Sequence, residues 1–266
     1  MTLKICLAGA TGWAGSELAR GIAAAADLNL VAAVARRHAG QKLGDVLGES
    51  QLDAPIFASA AEALAQPCDV FMEYTKPDSA KANVLAALEH GAHVVVGTSG
   101  LTDADYAQID AVARERQRGV LACGNFALTA VLLIKFAEMA AKLIPQWEII
   151  DYASAGKPDA PSGTVRELAT RLGEVRQPQL EVPLEQTIGM RETRGGTLAG
   201  SQIHAVRLPG FVIGVEAIFG MPEQTLTLRH NAGSSAKPYV DGALLAIRKV
   251  SGLVGLHRGL DVVLDL

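Results

Sequence analysis

The chain is short of the features that mark most specialised classes of protein. Its only cysteines are Cys6, Cys68 and Cys123. They are odd in number, widely spaced and set among apolar neighbours, which argues against a disulfide framework and a zinc site and points to a reducing compartment. No apolar run reaches the ~18 residues of a membrane-spanning helix. The opening strand-like run Leu3-Lys4-Ile5-Cys6-Leu7-Ala8 carries no basic stretch and h-region of a secretion signal. Neither sign of charge dominates: the formal net charge is -4 with 20% charged residues, so neither nucleic acid nor an anionic membrane is expected as a partner. His38, His90 and His93 fall in loop or helix-end positions, and no histidine pair has ligand spacing, so no metal site is expected. Repeats and low-complexity tracts are missing too. What remains is a cytoplasmic small-molecule protein whose 266 residues suffice for one or two cored domains.

What the sequence does have is alternation. The first strand runs into Gly9-Ala10-Thr11-Gly12-Trp13-Ala14-Gly15 and then a helical stretch from Ser16. Glycines at spacing three permit a tight turn, close approach of a pyrophosphate and close helix–strand packing, with the phosphates at the helix N-terminus. A second strand, 28–35, ends in Arg36-Arg37, where a fold selective for NAD usually has an acidic residue for the ribose 2′-hydroxyl. The arginines suit a 2′-phosphate and so NADPH, with NADH as the alternative donor; the competing reading is an exposed basic loop. Strands at 69–74, 93–96 and 120–122 alternate with helices at 79–90 and 102–116. This pattern predicts a Rossmann-like, doubly wound parallel sheet. Ligands bind beyond the carboxyl ends of such strands, so Thr75-Lys76-Pro77, Gly97-Thr98-Ser99 and Cys123-Gly124-Asn125-Phe126 are candidate nicotinamide neighbours.

A helical stripe from Phe126 to Ile144 leads out of this half, and a strand at 147–153 enters Lys157-Pro158-Asp159-Ala160-Pro161-Ser162-Gly163-Thr164. Ser162, Gly163 and Thr164 open a helix, whose unpaired N–H groups and dipole can hold a carboxylate, and Lys157 adds a cation. An ordinary capped helix start is the alternative. The segment 177–200 reads as a loop. Strands at 202–208, 211–219 and 224–230 predict a second α+β domain with a mixed, mostly antiparallel sheet, and Pro209-Gly210 predicts a hairpin of the first two. An amphipathic helix at 239–250 is followed by an apolar tail, Val262-Val263-Leu264-Asp265-Leu266, expected to return to the first domain. The expected boundaries are 1–124, 125–233 and 234–266.

In the Gly9–Gly15 loop, Gly97-Thr98-Ser99-Gly100, Asn125-Phe126, the Lys157–Thr164 octapeptide, Val206-Arg207-Leu208-Pro209-Gly210 and the Leu264-Asp265-Leu266 end, the chain resembles the 4-hydroxy-tetrahydrodipicolinate reductase (dihydrodipicolinate reductase) family of lysine and diaminopimelate biosynthesis. That resemblance implies an NAD(P)H-dependent oxidoreductase with a Rossmann-like domain that includes the C-terminal helix, and a sheet domain that builds a homotetramer. It also implies Lys157 as the basic residue at the substrate, and Gly163 and Thr164 as holders of a dicarboxylate. The cofactor would lie across Gly9, Ala10, Thr11, Gly12, Trp13 and Ala14.

The chain also departs from the family pattern. The strand before the octapeptide usually ends in paired histidines, one a proposed proton donor and the other a substrate ligand, where this chain has Ala153-Ser154. Ser154 can hydrogen-bond a carboxylate but cannot act as an acid near neutral pH. A further family histidine position reads Gly214-Val215, Lys237 replaces an arginine, and Trp13 stands where the family often has arginine. Three accounts stay open at this point: a reductase of the lysine pathway with Lys157, Tyr152 or water as proton source, a paralogue for another carboxylated imine or carbonyl, and a non-catalytic NADPH-binding protein.

Overall fold

The computed structural model describes residues 2–264. Of the tail expected to pack back, Asp265 and Leu266 lie outside the described residues. The elements in chain order are β1 (Leu3–Ala8), α1 (Trp13–Ala24), β2 (Leu28–Val34), α2 (Leu43–Leu47), β3 (Ile56–Phe57), α3 (Ala60–Ala63), β4 (Val70–Glu73), α4 (Pro77–Glu89), β5 (His93–Val96), α5 (Asp103–Glu115) and β6 (Gly119–Ala122). They continue as α6 (Leu128–Leu143), β7 (Trp147–Ala153), α7 (Gly163–Val175), β8 (Gly196–Leu198), β9 (Ser201–Arg207), β10 (Ile213–Met221), β11 (Gln224–Ala232), α8 (Val240–Lys249) and β12 (Gly255–Arg258). Thr129–Ser234 forms one compact unit, and the chain on either side of it forms the other.

The first unit is built on a seven-stranded sheet of order β12-β6-β5-β4-β1-β2-β3 in which every pairing is parallel. Its central strands are apolar runs because helices cover both faces: all of β4 and all of β6 are buried. α1 packs with α8, and α4 packs with α3 and α5. Local chemistry sets the helix starts, with Pro77 at the first position of α4 and a Thr102/Asp105 capping box on α5. Arg248 of α8 forks onto Asp27 at 2.7 and 2.8 Å, tying the returning helix to the turn before β2. The Rossmann-like reading therefore stands. β3 and β12 are additions that the sequence pattern did not announce.

The second unit carries a five-stranded sheet of order β11-β10-β7-β9-β8, mixed through the parallel β7–β9 pair and otherwise antiparallel. β7 alternates strictly, with Trp147, Ile149, Asp151 and Ala153 buried. Its buried face and Val215, Ala217 and Phe219 of β10 pack on Leu133, Ile134 and Ala137 of α6 and on Val165, Leu168, Ala169 and Leu172 of α7.

The hairpin expected across Pro209-Gly210 does not form. β7 lies between β9 and β10, pairing Ile149 with Ile203 on one side and with Ala217 on the other. A Pro-Gly pair marks where the chain reverses but carries no information on which strand it then joins. Here the strand with the strictest alternation takes the centre. The tight hairpins are β10–β11, turning at Glu223 with φ +62°, and β8–β9, turning at Ala199 and Gly200. The segment expected as plain loop thus contains the short edge strand β8.

Candidate active site

At the carboxyl end of β1 the chain turns at Gly9, whose φ is +82°, and a Cβ there would lie 2.1 Å from the Tyr74 carbonyl oxygen. A Cβ on Gly15 would lie 2.0 Å from the Gly9 carbonyl oxygen, so helix and strand meet at glycine contact distance. Gly12 caps α1 without a side-chain hydrogen bond, and the first intrahelical bond is Ser16 N–H to Gly12 C=O at 3.0 Å. The N–H groups of Trp13, Ala14 and Gly15 precede that bond and point out of the helix start. This cradle fits a dinucleotide pyrophosphate. Trp13 is 61% exposed and stands edge-on to Tyr239 with ring centroids 5.9 Å apart. Ala10 is buried beneath the turn and Thr11 half-buried.

Arg36 and Arg37 occupy a 3-10 turn directly after β2, exposed and with no side-chain partner among the described residues. Gly97, Thr98 and Ser99 follow β5, and Cys123, Gly124, Asn125 and Phe126 follow β6. All of these candidates therefore gather at the carboxyl ends of one parallel sheet. Phe126 is buried with its ring 6.2 Å from that of Tyr74. Asn125 Oδ1 accepts the Ala127 N–H at 2.8 Å.

Beneath these loops sits Glu73, fully buried at the end of β4. Its carboxylate accepts the Thr75 N–H at 2.9 Å, Asn83 Nδ2 at 2.9 Å, Thr98 Oγ1 at 3.1 Å and the Thr75 hydroxyl. Burial pushes its carboxyl above the usual range, against the opposing effect of those hydrogen bonds. Its only sequence signal was an acidic residue ending an apolar strand.

In the second unit, Ser162 caps α7: its hydroxyl accepts the Val165 N–H at 3.4 Å and its own N–H donates to Asp151 Oδ2 at 2.7 Å. The first intrahelical bond is Arg166 N–H to Ser162 C=O at 2.9 Å, so the N–H groups of Gly163 and Thr164 have no partner among the described residues. Gly163 is exposed and Thr164 half-buried. Lys157 Nζ pairs with Asp159 Oδ1 at 2.7 Å, and this hydrogen bond holds the Asp159 carboxyl below the usual range. Ser154 is exposed and Ala153 is 1% exposed. Tyr152 takes the other face of the sheet from Asp151. Its hydroxyl donates to Glu216 Oε2 at 3.3 Å, its ring lies 5.0 Å from Phe211, and Arg229 stands 4.7 Å from the ring centroid.

The family description "Dihydrodipicolinate reductase, N-terminus" matches residues 3–126 and its C-terminal counterpart matches residues 129–261. This chain belongs to the dihydrodipicolinate reductase family. It is 37% identical to the 4-hydroxy-tetrahydrodipicolinate reductase of Geobacillus kaustophilus over 100% of both chains. It is 36% identical to that of Bacillus pumilus over 99% of this chain and 98% of the relative. Among solved structures, the dipicolinate-bound dihydrodipicolinate reductase of Paenisporosarcina sp. TG-14 superposes with a TM-score of 0.89 at 30% identity, covering 99% of this chain and 100% of that one. The family is one of oxidoreductases that use a nicotinamide cofactor, and the glycine cradle described above fits one. Among the described residues no helix is long and apolar enough to cross a membrane, and no cluster of metal-binding side chains is present.

Proposed function

We propose that this protein catalyses the reduction for which its family is named, delivering hydride to the electron-poor C=N of 4-hydroxy-tetrahydrodipicolinate, or to the C=C formed once its 4-hydroxyl has left as water, in lysine and diaminopimelate biosynthesis, with NADPH preferred over NADH. The full-length match to reductases does not favour the other two accounts. NADPH, when bound, supplies the hydride. Gly9 to Ala14 hold its pyrophosphate, and Arg36 with Arg37 takes the 2′-phosphate as a charge-assisted pair. Gly97, Thr98, Ser99 and Cys123 to Phe126 shape the nicotinamide pocket.

The observation that carries the substrate half is the pair of free N–H groups on Gly163 and Thr164 at the start of a 13-residue helix. These hold one carboxylate, Ser162 fixes their direction as the cap, and Ser154 donates to a second carboxylate. Dipicolinate, the molecule bound by the structural neighbour, takes the same seat. Lys157 donates the proton. The engagement of Tyr152 with Glu216 and Arg229 on the opposite sheet face supports Lys157 over it as the donor. A homotetramer and a cytoplasmic location, both resting on family likeness, complete the reading, and light scattering of the purified protein tests the first.

The deciding experiment is NADPH oxidation with freshly generated 4-hydroxy-tetrahydrodipicolinate, comparing wild type, Lys157→Ala and a histidine-containing relative. Wild type is expected within about tenfold of the relative in kcat/KM, a gap of about 1.4 kcal/mol. Lys157→Ala is expected to lose about 10²–10⁴-fold. A wild-type rate many thousandfold below the relative with NADPH still bound would overturn the substrate, and an unchanged Lys157→Ala would remove that lysine from the mechanism.

A further inference from the structure

Arg207 lies on β9, in register with Ala153 at the end of β7, and belongs to the Val206–Gly210 motif to which the proposed reaction gives no role. Its guanidinium is mostly buried. Nη1 donates to the Asp151 carbonyl at 3.0 Å and to the Val206 carbonyl at 3.1 Å, while Nη2 donates to Asp151 Oδ2 at 2.7 Å and to the Asp159 carbonyl at 2.8 Å. Asp151, 1% exposed, also accepts the Ser162 N–H on the same Oδ2.

The two bonds that leave the strands land at the two ends of one tetrapeptide. Arg207 holds the carbonyl of Asp159, and Asp151 holds the N–H of Ser162. Just before the clamped stretch is Lys157, whose ammonium is tied to the Asp159 side chain. Just after it are the Gly163 and Thr164 N–H groups. The clamp thus sets the separation between the cation and the helix start, which is the dimension a dicarboxylate must match.

Stability is a poor reason for such a pair. Taking a carboxylate and a guanidinium out of water offsets much of their attraction, and a well-packed apolar pair of similar volume is often no less stable. Moreover, Asp151 Oδ1 and Arg207 Nε are buried without a hydrogen-bond partner among the described residues. What an apolar pair could not supply is a planar fork reaching carbonyl and carboxylate acceptors at fixed angles.

We propose that Arg207 and Asp151 are positioning residues that clamp the Asp159–Ser162 stretch and thereby set the spacing of Lys157 from the Gly163–Thr164 anion seat, fixing affinity for a dicarboxylate. The assignment rests on the reading of that seat as the substrate site. Lysine at position 207 keeps the charge but cannot make the fork.

The test uses Arg207→Lys and, because a lone buried carboxylate can prevent folding, the double variant Asp151→Asn/Arg207→Met, in which neither buried partner is charged. In both, the Kd for dipicolinate and the substrate KM are expected to rise at least tenfold while the Kd for NADPH stays within twofold. Amide exchange is expected to speed up over residues 154–166 and nowhere else. A lowered Tm with dipicolinate affinity and loop exchange as in wild type would overturn the proposal. If wild type itself fails to bind dipicolinate, the substrate reading falls, and the exchange comparison still decides the clamp: local acceleration upholds it and unchanged exchange refutes it.

Discussion

Glu73 gives the sharpest test of how the first unit holds its loops. Replacing it with leucine removes the acceptor of the Thr75 N–H, the Thr75 hydroxyl, Asn83 and Thr98. The Thr75 hydroxyl retains Ser79 at 3.0 Å, and Asn83 is only half-buried and can reach water. The Thr98 hydroxyl, 7% exposed, is left without a partner, and the N–H of half-buried Thr75 loses its acceptor as well. At about 1–3 kcal/mol for each donor that water does not reach, Glu73→Leu should cost about 1–6 kcal/mol. Glu73→Gln differs: its amide oxygen keeps Thr75 and Thr98, and Asn83 can turn its own amide to accept from the new NH₂. Its cost should stay below about 1.5 kcal/mol. Urea unfolding at pH 7 measures both. A leucine variant within about 1 kcal/mol of wild type would refute the reasoning, since it would mean that the loops do not depend on this acceptor. A pH series adds a sign. Because burial raises the folded value above the ordinary 4.5, the pH-dependent part of Glu73's contribution is complete below that value and is lost as pH rises through the folded one, while the hydrogen bonds counted above persist at pH 7. The glutamine variant should lack this downward slope.

The other expectations are briefer. Gly9→Ala forces a side chain into a φ of +82° and a Cβ to within 2.1 Å of a carbonyl oxygen, so it should cost more than about 3 kcal/mol or abolish NADPH binding; a variant with wild-type urea midpoint and NADPH Kd would contradict the turn described here. Arg36→Asp should raise the KM for NADPH about ten- to a hundredfold, the loss of one or two charge-assisted bonds, with little change for NADH; steady-state kinetics with both donors decide, and two unmoved constants would leave Arg36 a surface charge. His93 is lowered from 6.5 chiefly by burial and then by the charge of Arg118, and its Nδ1 accepts the Gly119 N–H at 2.9 Å. The stability it contributes is present above 6.5 and is lost as pH falls through the depressed folded value, so between pH 8 and 5 wild type should lose more stability than His93→Gln, and parallel curves would show that the ring does not titrate between states.

Much of the first unit was legible because its strands are apolar runs separated by helical stretches, a pattern that a parallel sheet buried on both faces requires. Element ends fell within a few residues of expectation, as at α5, which begins at Asp103 after its Thr102 cap. The missed strands were those without a local signal. β3 is two residues long, and β12, Gly-Leu-His-Arg, becomes a strand only because β6 offers an open edge. The false hairpin has the same origin, since strand order is decided by side-chain packing on β7 and not by the turn. At the site, glycine and helix-start chemistry can be read from neighbours in sequence. Glu73 and Thr98 meet across 25 residues and Arg207 and Asp151 across 56, and nothing local in the sequence joins them.

That division bears on how this chain can dispense with the paired histidines usual in its family. Ala153 is buried in the sheet and Ser154 is exposed at its end, so the strand supplies no group that titrates near neutral pH. The positive character at the proposed substrate site comes from the Gly163 and Thr164 N–H groups, which carry no side-chain chemistry of their own, from Lys157, which is tied to Asp159, and from Arg166, whose Nη2 lies 3.9 Å from where a Gly163 Cβ would stand and whose Nη1 donates to the Pro161 carbonyl. Backbone donors cannot be strengthened by substitution. Their worth depends on direction and spacing, and a displacement of about 1 Å in such a site can cost about 10²-fold in rate. A site that keeps the family's backbone donors but lacks its imidazoles therefore depends more heavily on whatever fixes the loop, and the fork of Arg207 onto Asp151 and Asp159 is the part of this fold that meets that demand.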